Sequence, residues 1–225
     1  FPDCAALSNG AYRLLVTANG MSRASCGTLI PYRSARTPWE DAPGIALWAE
    51  SGGVRQPLLP KPGEKGALRR RFTAGEALLA GQSGDLFWEM RCTVSRAYPG
   101  ELRRLRLRSG ISCREEGSQM MHPAFSRLGL CTSVRSGVLI VYRAPRGNQS
   151  AQYLALACSG EAGFSSDFRQ FPARGDAGEF RENTGWQNEP YIAARLPLPE
   201  GSACEIALAL CVAGDADTAA RGARE

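Results

Sequence analysis

Leu86-Phe87-Trp88-Glu89-Met90-Arg91-Cys92 decides the fold class. Leu86, Trp88, Met90 and Cys92 recur at every second position, the period of a half-buried strand. Other segments share the pattern. Tyr12, Leu14 and Val16 alternate with Arg13 and Thr17, and residues 102–108 form a run of imperfect phase. Residues 45–50, 138–143, 152–158, 191–196 and 205–212 are similarly short, rich in branched or aromatic residues, and bounded by Gly, Pro, Asn and Ser. In the last of them Ile206, Leu208 and Leu210 keep strand parity among helix-friendly alanines. The sequence therefore predicts an all-β protein, with residues 73–81 the best candidate for a short helix.

Composition agrees with a folded chain. Of 225 residues 44% are hydrophobic and 22% charged, so a core can be buried. The cysteines number 8: Cys4, Cys26, Cys92, Cys113, Cys131, Cys158, Cys204 and Cys211. They form no C-x-x-C pair, and His122 is the single histidine, so no metal site is expected. An even count instead predicts a disulfide framework and a secreted or extracellular setting. The opening Phe1-Pro2-Asp3-Cys4 has neither an initiator Met nor an apolar leader, as expected of a chain cut after a signal peptide. No apolar run reaches bilayer length, so membrane attachment would need an anchor beyond Glu225.

The pattern also repeats. Cys4, Gly10 and the Tyr12–Val16 run are followed by Cys26; Cys131, Gly137 and the Val138–Val141 run are followed by Cys158. The offset is 131 − 4 = 127 for the cysteine and 137 − 10 = 127 for the glycine. Four cysteines precede Gly117 and four follow it. The expected organisation is two tandem disulfide-bonded β-sandwich modules, 1–113 and 125–213, with a linker over 114–124 and a polar tail or stalk over 214–225. One large β-sandwich is the alternative. The preferred pairing is nested, Cys26 with Cys92 and Cys4 with Cys113, then Cys131 with Cys211 and Cys158 with Cys204. Sequence alone does not establish connectivity.

Catalysis is read as absent. There is no Walker loop, nucleophile elbow or dinucleotide fingerprint, and His122 sits before Pro123 in the expected linker. Glu40-Asp41 and Glu115-Glu116 are adjacent, so along a strand their side chains diverge. The expectation is a protein that is not an enzyme and takes no cofactor.

Arginine carries the chemistry. If Leu105 and Leu107 face the core, Arg104, Arg106 and Arg108 form a basic ladder on the outer face, which Arg69, Arg70 and Arg71 extend. Guanidinium groups bind sulfate, phosphate and carboxylate bidentately, which suits sulfated or sialylated glycans. The plain counterpart is a charged edge strand that resists aggregation. Arg174-Gly175-Asp176 matches the integrin-binding tripeptide, and Asn148-Gln149-Ser150 is a glycosylation sequon in an expected hairpin turn. Trp88 is expected in the core and Trp186 exposed, with Trp39 and Trp48 as further candidates for a sugar platform. Nucleic acid is not an expected partner, since aromatic residues do not interleave the basic ones.

Ser22-Arg23-Ala24-Ser25-Cys26-Gly27-Thr28-Leu29-Ile30-Pro31 is similar to a stretch of the SRS surface antigens of apicomplexan parasites. So is Gly185-Trp186-Gln187-Asn188 followed by residues 193–198 and a late cysteine strand at 202–211. The resemblance implies tandem cysteine-bridged β-sandwiches on a lipid anchor. That family has about six cysteines per module, whereas each half here has four. The expected function is a surface adhesin binding an anionic host glycan or a receptor protein. The alternative is a secreted decoy that binds a cytokine or chemokine and modulates host immunity.

Overall fold

The structure is a computed structural model. It describes residues 4–32, 34–37, 40–43, 45–51, 54–60, 68–84, 86–108, 112–118, 130–145, 148–166, 184–185, 191–197 and 203–225. Strand β10 (Leu86–Val94) buries Leu86, Trp88, Met90 and Cys92 and turns Phe87, Glu89 and Arg91 the other way. It pairs antiparallel with β11 (Gly100–Arg108), which buries Leu105 and Leu107. Around this pair an eight-stranded antiparallel sheet runs in the order β13 (Leu130–Arg135), β14 (Val138–Arg143), β15 (Gln152–Cys158), β18 (Ala203–Ala213), β11, β10, β9 (Ala77–Ser83), β8 (Arg69–Phe72).

Three smaller sheets complete the described residues. One has β1 (Cys4–Ser8), β2 (Tyr12–Thr17) and β3 (Ser22–Cys26) in sequence order. A second runs β16 (Gly163–Ser165), β17 (Tyr191–Leu196), β12 (Ser112–Ser118), β6 (Ile45–Ser51), β7 (Val54–Pro57). The third is the ribbon β4 (Ser34–Thr37) and β5 (Glu40–Pro43). A single apolar cluster joins the first two of these sheets, through Leu14, Val16, Leu47 and Ile192, to the inner face of the large one, through Leu79, Trp88, Leu105, Leu139 and Leu208. The all-β class is as expected.

The strands do not sort by halves of the chain. β11 and β18 pair over their full common length, from Gly100↔Cys211 to Arg108↔Ala203, so residues from both expected modules share one sheet. Residues 114–118, expected to open a linker, lie in β12 between β6 and β17. The 127-residue repeat marks two similar hairpins, β1–β2 and β13–β14. Gly10 at φ 92° and Gly137 at φ 73° take the left-handed turn conformation that a side chain disfavours. These hairpins lie in different sheets.

Two local expectations are corrected. Residues 77–83, inside or beside the expected helix, form β9, because pairing with β10 outweighs alanine's helix propensity. The tail is not a stalk: α1 (Ala216–Arg224) is a helix packed on the outer face of the large sheet. Its Ala219 and Ala223 sit against Val138, Ile140, Ala155, Ala157 and Cys211. Small side chains permit this approach; a Cβ on Gly222 would come within 2.6 Å of Cys211 Sγ. Asp215 caps the helix by accepting a 2.8 Å hydrogen bond from Thr218 N. Among the described residues no helix is long and apolar enough to cross a membrane.

No bridge joins the cysteines whose side chains are described. Register explains two of the expected pairs. Cys158 stands opposite Leu208, four residues along β18 from Cys204, a distance of roughly 13 Å. Cys131 and Cys211 are three strands apart, about 14 Å. Both exceed the roughly 4.4–6.8 Å Cα span of a disulfide. The side chain of Cys113 lies outside the described residues.

Candidate functional site

The pleat of β11 sends Glu101, Arg103, Leu105 and Leu107 inward and Arg104 and Arg106 outward. The inner pair of charges is fully buried: Glu101 is 2% and Arg103 1% exposed. Arg103 Nε donates to Glu101 Oε1 at 2.8 Å. Its Nη2 donates to Tyr32 Oη at 2.7 Å and to Ser22 Oγ at 3.2 Å, and its Cζ lies 5.5 Å from the Tyr32 ring centroid. Glu101 Oε2 accepts from Tyr12 Oη at 2.7 Å and from Tyr32 Oη at 2.5 Å. Burial, aided by the Glu101 charge, pushes both phenols well above their ordinary range. Burial opposes the Arg103 charge, but the groups around it, Tyr32, Cys92 and Glu101, outweigh that and hold it protonated. The cluster ties the β1–β3 sheet and Tyr32 to the large sheet. Its polar groups are buried and hydrogen-bonded to one another, so it offers no site to a ligand.

The outer face is different. Following the registers from β8 across to β18, one row reads Arg69, Ala80, Glu89, Arg106, Glu205. The next reads Arg71, Leu78, Arg91, Arg104, Ala207. Arg106 Nε donates to Glu205 Oε2 at 2.6 Å, while Arg91 reaches Glu89 at 3.0 Å and Glu76 at 3.6 Å. Arg71 shares Glu76 at 3.7 Å. The hydrogen bond from Arg106, with Arg104 and Arg91 nearby, holds the Glu205 carboxyl below its ordinary range. Glu89, Arg91, Arg104, Arg106 and Glu205 line a shallow open depression, and Phe87 lies on the same face, 53% exposed. Helix α1 covers the β14–β15–β18 end of this face and leaves the arginine rows uncovered.

Arg104 and Arg106 are thus exposed where the sequence placed them. The side chain of Arg108 lies outside the described residues. Arg69, Arg70 and Arg71 are exposed on the edge strand β8, three strands or about 14 Å from β11. Arg69 and Arg71 end the transverse rows rather than lengthen a ladder along β11, while Arg70 pairs with Leu79 and has the opposite parity. Asn148 is exposed between β14 and β15, as a sequon requires. Trp88 is in the core and Trp48 half-buried. His122, Arg174, Gly175, Asp176, Trp39 and Trp186 lie outside the described residues, as do the side chains of both acidic pairs.

Sequence reasoning missed the carboxylates Glu76, Glu89 and Glu205; Glu89 is two residues from Arg91 and Glu76 five from Arg71, whereas Glu205 reaches Arg106 only through long-range pairing. It also missed the buried pair, although a signal existed. Glu101 and Arg103 are two apart, hence on one face, and share parity with Leu105 and Leu107.

No protein-family model and no curated protein matches the sequence. Solved structures do resemble the fold. The whole chain superposes on a bacterial glucoamylase complexed with acarbose, with TM-score 0.63 and 11% identity, covering 35% of that chain. A GH92 α-mannosidase from Bacteroides thetaiotaomicron, in complex with mannoimidazole, matches 99% of this chain and 31% of its own, with TM-score 0.51 and 10% identity. A protein from Escherichia coli K12 assigned as an aldose 1-epimerase matches 95% of this chain and 99% of its own, with TM-score 0.53 and 8% identity. At these identities the likeness is one of fold, and the chain spans about a third of the glucoamylase and the mannosidase. It nevertheless overturns the expectation that the chain is not an enzyme. Glycoside hydrolases and a protein assigned as an epimerase share this fold.

Proposed function

We propose that this chain is a carbohydrate-active β-sandwich, a domain that binds a glycan and takes part in its turnover. The observation that carries this is the match of the entire chain, at TM-score 0.63, to a third of a glucoamylase. The outer face supports it chemically. Sugar hydroxyls both donate and accept hydrogen bonds, and the depression offers donors on Arg91, Arg104 and Arg106 beside acceptors on Glu89 and Glu205. Phe87 adds an exposed aromatic ring nearby. Such a mixed, shallow surface suits a polyhydroxylated chain better than a compact apolar ligand.

The likeness to nearly all of a protein assigned as an aldose 1-epimerase favours a second reading, in which this chain acts alone on a sugar. One experiment serves both. The folded protein is run through affinity electrophoresis on neutral and acidic polysaccharides, with reducing-end release and anomer interconversion followed in parallel. Retardation without turnover is expected if the chain is one domain of a larger machine, and turnover if it acts alone. A protein inert in all three assays would sink the proposal.

A further inference from the structure

We infer that the outer face of β8–β11 is a binding site for an acidic glycan, anchored by Arg104 on a sugar carboxylate. This rests on the carbohydrate reading and names its ligand class. Three of the guanidiniums on this face have carboxylate partners: Arg106 has Glu205, Arg91 has Glu89 and Glu76, and Arg71 has Glu76. Arg104 makes no ion pair among the described residues, although it is exposed and lines the same depression as Glu89 and Glu205. It also stands directly across from Arg91. Like charges opposite one another repel across a sheet, so Arg91 and Arg104 form an unfavourable cross-strand pair, tempered by the Glu76 and Glu89 carboxylates on Arg91. On its other side Arg104 faces Ala207, whose methyl group leaves room above the strand.

A carboxylate lowered between Arg91 and Arg104 would meet Arg104 in the planar bidentate geometry a guanidinium favours. It would also relieve the repulsion. Glu89 and Glu205 on the rim accept hydrogen bonds from hydroxyls, which a bare anion lacks and a sugar supplies. Phe87 is the next outward residue of β10 beyond Glu89, placed for an adjoining ring to stack. An acidic oligosaccharide satisfies all three elements, whereas a neutral one leaves the Arg91–Arg104 contact unrelieved.

The test is calorimetric titration of the intact chain with hexagalacturonic acid, maltohexaose and inorganic sulfate. Hexagalacturonic acid should bind, more weakly as salt rises, with the other two at least about tenfold weaker. Arg104→Gln should weaken it about tenfold or more, the scale of one charge-assisted hydrogen bond. Ala207→Glu places a competing carboxylate opposite Arg104 and should cost as much, which decides the matter if Arg104→Gln does not fold. Equal binding of maltohexaose would overturn the acidic assignment and leave the carbohydrate reading standing. Equal binding of sulfate would overturn the sugar component, and unchanged affinity in both variants would overturn the site. Failure of every glycan, acidic or neutral, would overturn both readings.

Discussion

Arg103 and Arg104 follow one another along β11, and the pleat sends their guanidiniums to opposite faces of one sheet. Arg103 enters a dry layer where Glu101, Tyr32 and Ser22 take up its donors. Arg104 enters solvent between Arg91 and Ala207 and makes no ion pair among the described residues, its charge reaching Glu205 only at longer range. A buried ion pair is weak evidence of net stabilisation, because desolvation offsets most of its attraction. Its consequence is rigidity: once formed it fixes how β2, β3 and Tyr32 sit on the large sheet. An exposed arginine contributes little to the fold and keeps its hydrogen bonds for a ligand. The same residue type thus acts as a latch on one face and as a recognition group on the other.

The largest expected effect breaks the latch. Arg103→Ala leaves Glu101 buried without its cation and should cost about 3–5 kcal/mol in urea unfolding, with Glu101→Ala costing a similar amount. Arg104→Ala, one residue on, should leave the unfolding midpoint unchanged. Equal midpoints for Arg103→Ala and Arg104→Ala would break the comparison outright. The tyrosines sharpen it at smaller scale. Tyr32→Phe removes a hydroxyl that donates to Glu101 and accepts from Arg103, whereas Tyr12 only donates to Glu101. Both should destabilise by about 1–3 kcal/mol, Tyr32→Phe the more. The reverse order would mean that Tyr32 is not the bridge.

How much of this was legible depended on range. Strands 138–143, 152–158 and 191–196 were readable to the residue, because a short run of branched, apolar or aromatic residues bounded by turn formers is a local signal. β8 escaped because Arg69, Arg70 and Arg71 show no apolar period, and an edge strand needs none. α1 escaped because an alanine-rich segment without large apolar residues looks like a solvated tail, yet on a sheet of small residues alanine is the side chain that fits. The two-module organisation was inferred from cysteine counts and a repeat. Neither carries information about partners, and β11 pairs with β18 across roughly a hundred residues of chain. For the site, parity alone correctly sent Arg104 and Arg106 outward. It could not supply Glu89 and Glu205, which meet Arg106 only through pairings on either side of β11.

The smallest effect concerns the acid limb of stability. Glu205 is held below its ordinary pKa chiefly by the hydrogen bond from Arg106, so the folded protein favours its ionised form. The sign follows directly. This contribution is complete above the ordinary carboxylate pKa of about 4 and is lost as pH falls through the lower folded value. Asp215 behaves alike, its carboxylate held down by the hydrogen bonds from Thr218 at the start of α1. Thermal melts from pH 6 to pH 2.5 should therefore show a shallower acid decline in Glu205→Gln than in the native chain. Asp215→Asn, which keeps a cap but does not titrate, should flatten it independently. Salt should shrink the Glu205 part, because that pair is exposed and screened. A Glu205→Gln melt series that overlays the native one would mean that Arg106 gains nothing from its partner. Arg106 would then be as unengaged as Arg104, and the outer face would hold two open guanidiniums for a ligand instead of one.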